Sequence, residues 1–132
     1  MPTTTSRIDT ISLVCVATKD QDKAVDFYVD TLGFEKRTDT PFGGGYRWIE
    51  VYPPNGTTGI ALATPPSGQD AGGMQTGITL TTDDVDATHA HLRDRGADVD
   101  AEVSRMGAPV PDMFWFRDPE GNVLMVVQSP EQ

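Results

Sequence analysis

Cysteine and histidine are nearly missing from this chain of 132 residues, which has one of the first and two of the second. With Cys15 alone no internal disulfide can form, which suits a reducing cytoplasm. His89 and His91 sit two apart on a predicted helix and so point in different directions, which predicts a semi-buried His89 and an exposed His91 rather than a metal site. Basic residues are scarce as well. Lys and Arg number 10 against 20 Asp and Glu, the formal net charge is -10, and no basic cluster exists, so a nucleic-acid backbone or an anionic membrane surface is repelled. No apolar run approaches the ~18 residues of a membrane span, and the polar stretch from Met1 to Asp9 lacks the apolar centre of an export signal. The expectation is a soluble, cytoplasmic protein with no nucleic-acid or membrane partner.

What the chain does contain is a repeat, with an offset of about 64 residues. Leu13 to Ala17, Asp20, a helical stretch and Leu32-Gly33 are matched by Gly77 to Thr81, Asp83, a second helical stretch and Arg95-Gly96. Tyr52-Pro53-Pro54-Asn55-Gly56 before Ile60 to Ala63 is matched by Phe116 to Gly121 before Leu124 to Val127. Each half reads as strand, helix and three strands. In the first half these are Ile11 to Thr18, the helix Asp20 to Leu32, Phe34 to Arg37, Tyr46 to Tyr52 and Gly59 to Ala63, with Thr38 to Gly45 as a loop. In the second they are Gly77 to Thr82, the helix Asp84 to Arg95, Ala97 to Val103, Met113 to Phe116 and Val123 to Gln128, with Ser104 to Asp112 as a loop. The whole is expected to be one domain, 7–132, made of modules 7–64 and 74–129 joined by the Pro- and Gly-rich linker 65–73. The fold class is α+β: two tandem βαβββ modules forming a curved, mainly antiparallel cup.

Asp20, Phe27-Tyr28 before Leu32-Gly33-Phe34, and Asp118-Pro119-Glu120-Gly121-Asn122, inside such a duplication, resemble the vicinal oxygen chelate superfamily of glyoxalase and bleomycin-resistance proteins. The resemblance covers almost the whole chain. It implies that each sheet curls into half a cup, that members commonly pair as homodimers, and that the family's enzymes hold a metal on the first and fourth strands of each unit. Those metal positions fall here on Leu13, Ala61, Gly77 and Met125, none of which offers an imidazole or carboxylate, so no metal and no cofactor are expected.

Strand alternation suggests what lines the cup instead. If Leu13 and Ala61 face it, Val14, Val16, Ile60 and Leu62 face the helix, as do Ile49 and Val51. Tyr46, Trp48, Glu50 and Tyr52 are then left toward the cup, with Phe114 and Phe116 in the corresponding places of the second copy and Trp115 open to either side. The expected ligand-binding residues are Leu13, Cys15, Trp48, Glu50, Ala61, Gly77, Thr79, Phe114, Phe116 and Met125, with Thr81 and Val127 beside them. Glu50 is the one carboxylate among them, able to bind a cationic nitrogen, to act as an acid or base, or to pair with Arg47 at a strand edge. Arg105 and Met106, with Phe42 opposite, are candidates to close over a ligand. The function that follows is metal-free binding of a planar or aromatic small molecule, such as an antibiotic, by sequestration. The rival is a metal-independent enzyme using Glu50, and a metal-dependent glyoxalase-like enzyme comes third.

Overall fold

The computed structural model describes residues 6–65 and 70–130; residues 66–69 of the expected linker lie outside them. Both helices start by the same local device. The Asp20 carboxylate accepts from the Lys23 amide at 3.0 Å ahead of α1 (Gln21–Asp26), and Asp84 accepts from Ala87 at 3.0 Å ahead of α2 (Val85–Asp94). The first helix widens beyond Asp26 into a π-helical turn, Phe27–Thr31, in which the Leu32 amide reaches the Phe27 carbonyl. This turn carries Phe27 and Tyr28, both of which touch the second module.

Among the described residues eight strands form two four-stranded sheets of identical order. In the first, β1 (Leu13–Ala17) is followed across the sheet by β4 (Gly59–Ala63), β3 (Tyr46–Tyr52) and β2 (Glu35–Gly43). In the second, β5 (Gln75–Thr82) is followed by β8 (Val123–Gln128), β7 (Met113–Arg117) and β6 (Asp98–Val99). Only β1 with β4 and β5 with β8 pair in parallel; the other pairings are antiparallel. The architecture is the α+β arrangement of two tandem βαβββ modules.

Two expectations are corrected. Thr38 to Gly45 is mostly strand: β2 runs through Pro41 to Gly43, and only Gly44 and Gly45 turn back into β3. Pro41 is tolerated because β2 is an edge strand and its pairing shifts register between Pro41 and Gly43. The strand expected from Ala97 to Val103 shrinks to Asp98–Val99, followed only by a bridge from Ser104 to Met113. There the Asp100 carboxylate accepts from the Trp115 amide at 3.2 Å and the Arg117 guanidinium at 2.9 Å, so a side chain competes with continued ladder pairing.

The helix sides of both sheets share one core. Val16, Ile49, Val51, Ile60 and Leu62 from the first join Phe114, Phe116, Leu124 and Val126 from the second, with Ala24, Tyr28 and Leu92 of the helices. His89 is buried with its ring 4.9 Å from that of Phe114 and its Nε2 2.7 Å from the Asp100 carbonyl, and His91 is exposed.

The Asp118-to-Asn122 turn does more than reverse the chain between β7 and β8. Asp118 is buried and accepts from the Tyr28 hydroxyl at 2.9 Å and from the amides of Glu120 and Asn122; the Asn122 side chain donates to the Ala17 carbonyl at 3.1 Å. Glu120 accepts from the Thr18 hydroxyl at 2.9 Å and the Lys19 amide at 2.7 Å. The turn is thus a polar clasp between the modules, satisfied at every buried side-chain atom among the described residues. With the helix sides turned into this core, the opposite face of each sheet is left open.

Candidate ligand-binding site

Burial along β7 decides which side chains stand on the open face. Phe114 and Phe116 are 0% exposed whereas Trp115 is 39% exposed, so the two phenylalanines do not line the cup. The ladder gives the reason. Phe114 and Phe116 pair with the core residues Val126 and Leu124, while Trp115 pairs with Met125. In the first module the residue opposite Ala61, the counterpart of Met125, is Glu50, so Trp115 stands where Glu50 stands.

On the first sheet Cys15, Ala61, Glu50 and Thr38 run side by side across the four strands. Cys15 is exposed, Leu13 two residues before it is half-buried, and Ala61 is closed off beside Glu50. Alternation along β3 puts Trp48, Glu50 and Tyr52 on this same face, all half-buried. The Trp48 indole N–H donates to Glu50 Oε2 at 2.7 Å, and the Tyr52 hydroxyl donates to Oε1 at 2.7 Å. This bond to Glu50, with burial and the carboxylate's charge behind it, raises the pKa of the Tyr52 phenol. Arg47 falls on the opposite side, where it donates to Asp39 at 2.9 Å and Asp22 at 2.6 Å; the expected alternative pair with Glu50 does not form.

Two neighbours set the position of Tyr52. The Arg37 guanidinium lies 4.4 Å from the centre of its ring and donates to the carbonyls of Pro54 at 3.1 Å and Gly56 at 2.9 Å, tying the ring to the turn that follows. The ring also lies directly over Gly59, where a Cβ would meet it at 2.6 Å. Gly59→Ala should therefore displace Tyr52 from Glu50 and cost about 1–3 kcal/mol by overpacking; thermal melting measures the cost, and an unchanged melt would show that the ring shifts freely.

On the second sheet Thr79, Met125 and Trp115 form the corresponding row. Thr79 and Thr81 are exposed, and Met125 and Val127 are half-buried. Thr81 and Val127 also border a cavity of about 530 Å3 whose other wall is the loop from Gly107 to Asp112. Arg105 does not reach over it freely, because Asp112, at 2.6 Å, and Asp86 both hold its guanidinium. Met106 is 74% exposed, and the side chain of Phe42 lies outside the described residues.

The positions at which the fold's enzymes hold metal do not fit one here. Leu13, Ala61 and Met125 carry no hard or borderline donor, and Gly77 has φ +71 within a register shift of β5, a backbone that disfavours any ligating side chain. The ladder partners of Ala61 and Met125 are Cys15 and Thr79, two residues beyond Leu13 and Gly77. Among the described residues no three His, Cys, Asp or Glu side chains converge. Neither the role of Tyr52 nor that of Arg37 is among the residue roles expected from the sequence. The i, i+2, i+4 spacing of Trp48, Glu50 and Tyr52 is the signal that reveals the first, whereas the second depends on a bulge in β2 between Lys36 and Thr38.

A family model, Glyoxalase/Bleomycin resistance protein/Dioxygenase superfamily, matches residues 7–126. Among solved structures the chain is similar to TnmS3, an antibiotic binding protein from Streptomyces sp. CB03234, at 36% identity and TM-score 0.81, covering 96% of this chain and 100% of that one. It is likewise similar to a member of the same superfamily from Sphaerobacter thermophilus DSM 20745, at 35% identity and TM-score 0.83, covering 92% and 98%. Its relatives include YurT of Bacillus subtilis (strain 168), 28% identical over 128 residues, 90% of this chain and 98% of that one. No helix of the described residues is long and apolar enough to cross a membrane. The chain belongs to the glyoxalase/bleomycin resistance protein/dioxygenase superfamily.

Proposed function

We propose that this protein is a metal-free binding protein of the cytoplasm that sequesters a planar or aromatic small molecule and returns it unchanged. The observation that carries this reading is the row Trp48, Glu50 and Tyr52, three half-buried side chains tied together by hydrogen bonds on the sheet face turned away from the core. Two large rings fixed by one shared carboxylate give a flat ligand a stacking surface. Trp115 and Met125 at the equivalent place of the second module supply a further aromatic and polarizable surface. The similarity to an antibiotic binding protein supports an antibiotic as the ligand class. Each open face is half a cup, and a second copy of the chain closing over it to form a homodimer encloses the ligand.

Titration with a panel of planar aromatic compounds, antibiotics included, should quench the fluorescence of Trp48 and Trp115 saturably, and the bound compound should be recovered intact. Product in excess of the protein would instead establish the rival reading, an enzyme with Glu50 as acid or base. In that case Glu50→Gln abolishes turnover while binding by shape persists.

A further inference from the structure

The Glu50 carboxylate stands on the sheet face turned away from the core and is held there by two neutral donors. Ionised, it offers roughly four lone-pair positions, of which Trp48 and Tyr52 occupy one on each oxygen. Among the described residues it has no ion-pair partner, and the basic side chains of β2 and β3 are committed elsewhere: Arg37 to Glu35, Lys36 to Asp39, Arg47 to Asp39 and Asp22. Its two donors hold both oxygens in place between an indole and a phenol, rings whose faces themselves attract cations. We propose that the ligand carries a protonated amine, or a comparable cationic nitrogen, on its aromatic framework, and that Glu50 receives it. This assignment rests on the binding reading above and narrows it to a chemical class. The nitrogen completes the lone-pair positions that the two aromatic donors leave open, and the aromatic body stacks on the half-buried Trp48 ring.

A net charge of -10 attracts any cation, so the test must separate Glu50 from the overall field. Calorimetric titration of the full chain with naphthylmethylamine and naphthylmethanol compares a shared ring system with and without the charge. The amine should bind roughly ten- to a hundredfold more tightly. Glu50→Gln should remove that preference, so that the two probes bind alike, and Glu50→Asp should retain part of it. Glu102→Gln, which makes the same change in net charge at an exposed site, should keep it in full. A preference that survives Glu50→Gln belongs to the general field and overturns the assignment. Equal binding of both probes by the unaltered chain overturns the cation and leaves the binding reading standing; saturable binding of neither overturns both.

Discussion

Phe116→Ala is expected to lower the free energy of unfolding by about 3–5 kcal/mol, whereas Trp115→Ala, one residue earlier, should lower it by about 1 kcal/mol or less. The contrast follows from which side of β7 each occupies. Phe116 is 0% exposed, packs with its ring 6.2 Å from Phe27 of the first module, and pairs with the buried Leu124. Removing it leaves a void in the layer that joins the modules, where rigid β-strands on either side limit relaxation. Trp115 stands 39% exposed, and what anchors it is its backbone amide on Asp100, which alanine keeps. Its loss should weaken aromatic ligand binding instead. Urea unfolding of both variants measures the difference, and equal losses would mean that Trp115 belongs to the core.

The same pair of residues shows why some of the fold is legible in the sequence and some is not. The bounds of β3, β4 and β8 follow from the residues themselves, because β-branched and aromatic runs end there at Gly, Pro and Asn turns. Along Phe114-Trp115-Phe116 there is no apolar and polar alternation to read, so the face each takes depends on a register carried from the other module. The repeat offset changes by one residue between Ala61 with Met125 and Glu50 with Trp115, and one residue exchanges the faces of a strand. Pro41 and the glycines after it read as a loop because composition does not show that β2 is an edge, where proline is harmless. The site divides in the same way. That Trp48, Glu50 and Tyr52 share a face is local and readable at a spacing of two, and that spacing also sends Arg47 to the other side. That Arg37 reaches the Tyr52 ring from across a bulge is not local.

Asp118→Ala is expected to cost about 3 kcal/mol or more, because several buried donors lose their acceptor together and each unsatisfied one costs about 1–3 kcal/mol. Those donors are the Tyr28 hydroxyl, the Asn122 side-chain amide and the backbone amides of Glu120 and Asn122, which span both modules. Tyr28→Phe removes a single donor and leaves Asp118 with its other partners, so it should cost about 1–2 kcal/mol. Tyr28→Phe also separates from the unaltered chain in alkali. Burial, then the adjacent Asp118 charge and the hydrogen bond to it, raises the Tyr28 phenol far above its usual range in the folded chain. A group whose folded pKa is raised stabilises fully below its unfolded value, about 10 for tyrosine, and that stabilisation is lost as pH rises beyond it. Unfolding free energy should therefore fall above about pH 10, by up to about 1.4 kcal/mol per pH unit from this group. Tyr52, raised by its bond to Glu50, adds a smaller part because it is half-buried. Tyr28→Phe should be the less stable chain at pH 7 yet lose stability more slowly between pH 10 and 11. Parallel losses in the two chains would mean that the Tyr28 proton is not held between the modules.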